Sequence, residues 1–371
     1  MAGRAIEQIL GYVPLTGVIQ ATKSGIPNLL PPELMRKSRD VIGDSGLYTQ
    51  VTGERRLASL THYGAPSNTR DLKELASKPV KLLHTFEKQP IPPLVMQKLR
   101  NYDNYDLMRQ GKQEIARQYK EFGKLFANLR IACVQLVLAN GIIWVKVEGT
   151  KQRILPSASG NTYTIDFQMA GGNQNQIGGT ISAAWNVATT NIPVQLVNLE
   201  AKAAQTTGYP LRLAIYGANL PTYFTNNDYV IDYLARMPEM SVEWLKGAGQ
   251  IPNGLFGFKW IPAYTFFYER DDGTGTKDAI WPADQVTFTP DVSGGTDSED
   301  WWEFIEGSFL VPTTVDVVTS VQSLDQFKTV YGSFGYAQMS HDPPGMVNFA
   351  GDTFLGVLRN PDAIYQCDTV F

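Results

Sequence analysis

The residues that could do chemistry in this 371-residue chain are few: three histidines, two cysteines, one Asp-Ser motif and some acidic and glycine-rich turns. Gly43-Asp44-Ser45-Gly46 is the tetrapeptide that surrounds the serine nucleophile in one class of proteases. Such a serine needs a histidine as general base and a carboxylate to orient it. His62, His84 and His341 all follow Ser45, so the chain order of that class fails, and a tight turn is the better reading. None of these histidines stands at metal-ligand spacing from another or from Cys133 or Cys367, and HExxH and CxxC are absent. Asp271-Asp272-Gly273 lacks the alternating ligands and terminal Glu of a calcium loop and reads as a hairpin turn. Gly171-Gly172 sits beside Asn and Gln without the lysine of a phosphate-binding loop. Trp281, Trp301 and Trp302 could form an aromatic platform, but burial in the core or at a subunit contact fits better. The sequence therefore predicts no catalytic residue, no metal site and no cofactor.

Composition points to a β-rich globular chain that meets other chains. Hydrophobic residues make up 43% and charged residues only 18%, with 33 Gly and 22 Pro. So little charge suggests that part of the surface is buried against neighbours. Residues 1–156 carry 23 Lys+Arg against 13 Asp+Glu, and the remainder 9 against 23. Halves of opposite sign suit head-to-tail contact between copies. Cys133 and Cys367 are unclustered, which suggests a reducing compartment and packing roles. No secretion signal is visible, and no apolar run reads as approaching a membrane span. The expectation is a soluble protein made in the cytoplasm, with no membrane partner.

The elements that would position such contacts follow from periodicity. Residues 1–45 mix short apolar pieces with Gly and Pro and read as an extended arm with at most a short helix, held down by neighbouring subunits. Residues 46–92 read as a long two-stranded excursion, 47–52 going out and 80–86 returning, with a polar tip and little private core. The clearest helix is 106–140, with Asp106 as N-cap and Asn140-Gly141 as its stop. Ile115, Tyr119, Phe122, Phe126, Leu129, Cys133 and Leu136 recur at spacings of three and four, one apolar stripe for about six turns. Further strands are predicted at 142–147, 163–169, 211–216, 259–268, 285–289, 345–358 and 363–370. Helical segments are predicted at 191–206 and 220–233.

This order resembles the HK97-type capsid fold, and its details are similar to the lambda-like phage major capsid proteins, often called capsid protein E. Three stretches carry the likeness. Residues 211–216 followed by Leu220-Pro221-Thr222-Tyr223-Phe224 are similar to the family's buried strand leading into a short helix. Phe266-Phe267-Tyr268-Glu269-Arg270-Asp271-Asp272-Gly273 with Trp281-Pro282-Ala283-Asp284 resembles its hairpin and following proline, and Arg359-Asn360-Pro361-Asp362 its terminal turn. Residues 291–300 do not fit the pattern.

The resemblance implies an α+β fold: an N-terminal arm (1–45), an E-loop (46–92), a peripheral domain (93–183) with spine helix 106–140, an axial domain (184–345) and a return to the peripheral domain (346–371). Arg55, Arg56, Arg70, Lys73 and Lys78 would be the E-loop's contacts with a neighbouring subunit. Ile115, Tyr119, Phe122, Phe126 and Leu129 would pack the spine helix on the peripheral sheet. The implied function is non-catalytic: self-assembly into pentamers and hexamers that form the icosahedral head of a tailed phage. Implied partners are further copies, a scaffolding protein made as a separate chain, a portal protein, a decoration protein and non-specifically packaged dsDNA. The implied place is the virion, after assembly in the host cytoplasm. A tail-tube or baseplate subunit is the alternative, which the long helix argues against. A cytoplasmic hydrolase using Ser45 or a lone histidine is the alternative from another class.

Overall fold

The computed structural model describes residues 12–23, 30–50, 77–100, 104–148, 151–169, 173, 181, 183–246, 250–264, 266–269, 277–292, 301–312, 327–341 and 344–370. The chain starts with helix α1 (Tyr12–Gln20), strand β1 (Arg39–Val41), the paired strands β2 (Ser45–Thr49) and β3 (Ser77–Lys81), and β4 (Leu83–Pro90). Helices α2 (Pro93–Arg100) and α3 (Tyr105–Asn140) follow, then β5 (Ile142–Glu148), β6 (Lys151–Leu155) and β7 (Tyr163–Asp166).

The long helix α3 is set by its ends as well as its stripe. Asn104, not Asp106, is the N-cap: its side-chain oxygen accepts from the backbone N–H of Asp106 (3.1 Å) and Leu107 (3.3 Å). Asp106 instead supplies the negative charge favoured in the first turn. At the other end Gly141 is left-handed (φ 66°), and a Cβ there would lie 2.3 Å from Met169 Sδ.

Along α3 the packing changes. Ile115, Tyr119, Phe122 and Phe126 bury one face with Leu15, Ile19 and Ala350, whereas all nine residues 131–139 are buried. The helix begins as an amphipathic lid and ends encased. It is long and apolar enough to cross a membrane by length and composition, contrary to the sequence reading, but 67% of its most apolar window is buried in the fold.

A six-stranded sheet lies under α3. It is built on β16 (Pro344–Leu358), which pairs with β15 (Phe334–His341), β4 and β13 (Trp302–Pro312); β1 runs parallel to β13, and β14 (Phe327–Tyr331) pairs with the outer end of β13. Gly335 of β15 lets the helices come close, since a Cβ there would meet Tyr119 at 2.6 Å and Ile19 at 2.7 Å. Helix α1 also fixes itself here: Thr16 Oγ1 accepts from Gly335 N–H at 3.1 Å, and Gln20 Nε2 donates to Ser333 O at 3.1 Å. This part of the arm therefore rests on its own subunit.

A second unit holds α4 (Ile192–Thr206), β8 (Leu211–Tyr216), α5 (Leu220–Thr225), α6 (Asp228–Ala235), α7 (Pro238–Lys246), β9 (Lys259–Pro262) and β12 (Gln285–Pro290), with β17 (Tyr365–Asp368) returning to it. Its sheet has the order β17-β12-β8-β9, β8 and β9 being parallel. The short strands β10 (Phe267–Glu269) and β11 (Lys277–Ala279) pair as a hairpin whose turn lies outside the described residues.

Several boundaries differ from the sequence reading. The stretch 80–86 is two strands broken at Leu82, whose N–H donates to Asp44 O, and β4 belongs to the central sheet instead of an excursion. The hairpin base also has core residues, because Tyr48, Val80 and Leu82 are buried. The predicted strand 259–268 is cut by a turn in which Phe266 N–H donates to Ala263 O. The segment 220–233 is two helices, because Asn227 caps α6 by accepting from Val230 N–H. Strands β13 to β15 rejoin the six-stranded sheet, so the second unit gives way at about residue 301 and not at 345. The last strand starts at Tyr365 after a 3-10 turn (Pro361–Ala363), and it pairs with β12 in the four-stranded sheet, not with the six-stranded one.

Candidate assembly surfaces

The residues first suspected of chemistry are dispersed. Ser45 is exposed at the start of β2, while His84 Nδ1 lies 2.7 Å from Thr353 Oγ1 and its ring stacks on Phe309. His62, Gly171-Gly172 and Asp271-Asp272-Gly273 lie outside the described residues, as does the side chain of His341. Among the described residues no three His, Cys, Asp or Glu side chains gather as a metal site. Both thiols are buried; burial pushes Cys133 up to about 12 and raises Cys367 as well. Trp301 and Trp302 are core residues, and Trp302 Nε1 donates to Leu34 O at 2.8 Å, so no tryptophan platform faces solvent there.

The hairpin base β2–β3 packs beside the three-stranded sheet β6-β5-β7 across a cleft of about 330 Å³ lined by Tyr48, Val80, Lys81, Tyr163 and Asp166. Lys81 Nζ sits 5.4 Å above the Tyr163 ring, a cation–π contact. Lys78 Nζ donates to Gln168 Oε1, so this lysine ties the hairpin to its own chain. Burial, then the Asp166 charge, raises the Tyr48 hydroxyl above its usual pKa. Arg55, Arg56, Arg70 and Lys73 lie outside the described residues.

The helix residues meet as a group. Ile115, Tyr119, Phe122 and Phe126 share one cluster with Ala337, Met346 and Ala350 of the sheet, and Leu129 packs half-buried on the neighbouring cluster. The Tyr119 hydroxyl lies 2.7 Å from Tyr336 O and 3.2 Å from Asn348 Oδ1, and burial pushes its pKa well up.

Arg130 escaped the sequence reading, although a lone arginine between Leu129 and Ile131 on a buried helix was a signal. Its guanidinium donates twice to Asp352 (Nε and Nη2, 2.7 Å each), to Glu306 Oε1 (2.8 Å) and to Ser333 Oγ (3.1 Å). It also lies 5.4 and 5.3 Å over the rings of Phe304 and Phe354. Burial opposes its charge, while Asp352 and Glu306 raise its pKa and keep it ionised. The group can fix the helix on the sheet, with Asp352 fully buried and Arg130 and Glu306 mostly so.

The second unit shows the opposite pattern at its surface. Helix α4 buries Ile192, Leu196, Leu199 and Ala203 on one side. On the other, Val194, Val197, Ala201 and Ala204 are exposed at spacings of three and four, Val197 to 64%. A helix apolar on both sides is normally covered on both. Tyr229 and Ile231 of α6 and Val242 of α7 add further exposed apolar surface. Sequence periodicity alone does not tell this stripe from the buried one, since both repeat at spacings of three and four.

The sequence matches the family model described as phage major capsid protein E over residues 12–297. No curated protein matches it. A phage-related protein of Bordetella bronchiseptica RB50 superposes with a TM-score of 0.51 at 9% identity, covering 97% of both chains, and so shares the fold. A putative prophage capsid protein of E. coli CFT073 gives a TM-score of 0.48 at 15% identity, over 80% of this chain and 79% of that one. The chain belongs to the phage major capsid protein E family: a lambda-like shell protein of α+β HK97-type fold, and so a homo-oligomeric part of the virion.

Proposed function

We propose that this subunit builds the icosahedral head of a tailed phage by assembling into pentamers and hexamers, without catalysing a reaction. The observation that carries this reading is the uncharged outward stripe of α4, which the isolated subunit leaves in water. Covering such a stripe releases about 25 cal/mol per Å² of apolar surface, so association through it is favoured. In this reading the second unit, residues 184–300 with β17, is the axial domain around the ring axes, and the six-stranded sheet with α3 as spine is the peripheral domain. Residues 50–76 form the E-loop reaching a neighbour, with Arg55, Arg56, Arg70 and Lys73 as its contact residues. Lys78 anchors its base. The buried stripe Ile115, Tyr119, Phe122, Phe126 and Leu129 holds the spine. A scaffolding protein, a portal protein, a decoration protein and packaged dsDNA are the further partners, and assembly takes place in the host cytoplasm.

Negative-stain microscopy of the purified protein with its scaffold tests the reading. Closed shells, or rings of five and six, are expected; a persistent monomer would overturn it. Deleting residues 54–76 spares the β2–β3 ladder and should leave a folded subunit that assembles poorly. Unchanged shells would remove the E-loop role.

A further inference from the structure

The last turn of α3 ends against the four-stranded sheet, and its carbonyls need partners. Gly141 N–H closes back onto Val137 O at 2.8 Å. The next two carbonyls are met by glutamines from far along the chain. Gln366 Nε2 of β17 donates to Leu138 O at 3.1 Å, and Gln285 Nε2, from the first residue of β12, donates to Ala139 O at 2.5 Å.

The ladder explains how both reach the helix. Gln285 stands opposite Asp368, and Gln366 opposite Thr287, so the two glutamines lie two positions apart on one face of the sheet. Both are buried. Their neighbours on β8 across that face, Leu213 and Ile215, belong to the same core cluster as Leu138 and Ala139. Apolar contact there is non-directional and tolerates rotation, whereas two hydrogen bonds to successive carbonyls do not. A neutral amide also suits the partly negative helix end, where a glutamate would be repelled and left with no proton to donate.

We propose that Gln285 and Gln366 form a two-point joint that fixes the angle between the long helix and the four-stranded sheet, and through it the curvature with which copies close into a shell. The curvature half rests on the capsid reading; the joint itself does not.

The test uses Gln285→Leu and Gln366→Leu, singly and together, beside Gln118→Leu as control. Gln118 is also buried on α3, but its Oε1 accepts from Asn348 in the other sheet. Hydrogen exchange across residues 135–141 and shell diameters by electron cryomicroscopy are the two readouts. Each joint variant should exchange on the order of tenfold faster per lost bond and give shells of broadened diameter. Gln118→Leu should lower stability yet keep the wild-type diameter. Unaltered exchange in the single variants would overturn the joint, whether or not the double variant folds. Unaltered diameters, or equal broadening by Gln118→Leu, would overturn its control of curvature. A wild-type protein that forms no shells would sink the capsid reading and leave the exchange result to decide the joint.

Discussion

The six-stranded and four-stranded sheets hold together by different means. The first joins segments as remote as 39–41, 83–90 and 344–358, and it is crossed by buried directional bonds: Arg130 to Asp352 and Glu306, and Gln118 to Asn348. The second draws three of its strands from residues 211–290 and packs on aromatic edges, with Phe224 on Trp260 at 5.2 Å and Phe258 on Phe288 at 5.1 Å. It also has buried neutral bonds, such as Trp185 Nε1 to Gln195 Oε1 at 2.7 Å, but its ion pairs among the described residues, Glu200–Arg212 and Asp232–Arg236, are exposed. A sheet assembled from distant pieces has many wrong registers open to it, and charged, geometrically strict bonds reject them. A sheet assembled locally can rely on shape. The difference then becomes mechanical: one unit is pinned by charge, and the other meets it through a shared apolar cluster and two neutral glutamines.

The largest effect should come from removing the pin. Arg130→Met should destabilise the subunit by about 3–5 kcal/mol in urea unfolding, because two carboxylates lose their cation in a buried setting. Adding Asp352→Asn and Glu306→Gln should recover much of that loss; no recovery would mean that packing against Phe304 and Phe354, and not charge, was lost. In the other unit, Phe288→Ala should cost about 3 kcal/mol through the cavity it leaves beside Phe258 and Trp260. A loss well under 1 kcal/mol would show that the aromatic core collapses around the gap and does not depend on shape.

The two buried thiols offer a finer comparison, since Cys133 reports on the pinned sheet and Cys367 on the other. Under mild denaturant Cys367 should be alkylated about tenfold faster, as it opens with a four-residue edge strand. The reverse order would place the weaker unit under α3.

The same contrast governs what could be read from sequence. Strand 211–216 and the helix starting at Ile192 were legible because each is short, apolar and punctuated by its own caps and turns. The stripe from Ile115 to Leu129 was legible for a different reason: its three- and four-residue spacing repeats over several turns of one long, capped helix. Membership of β4, β13 and β15 in one sheet was not, because pairing partners such as His84 and Thr353 share no local signal. The strand boundary at Leu82 was missed because the residues on both sides are strand-like and only the partner changes. Arg130 shows the limit most clearly: its spacing marks a buried face, but its carboxylates lie 176 and 222 residues away.

The smallest effect tests whether the pinned sheet also senses pH. His84 pairs across the ladder with Thr353, and its ring stacks on Phe309. Burial lowers its pKa below the ordinary 6.5, with Asp352 and Asp44 pulling it partly back up. The fold thus prefers the neutral ring. Stability from this site is present above pH 6.5 and is lost as the pH falls through the depressed folded value. Urea unfolding between pH 7.5 and 5.5 should therefore fall more steeply for the wild type than for His84→Gln. Because β4 belongs to the six-stranded sheet, the acid effect should accelerate labelling of Cys133 more than that of Cys367. Equal acceleration of both would mean that the two units unfold as one, and the contrast between a pinned sheet and a shape-packed one would not extend to their stability.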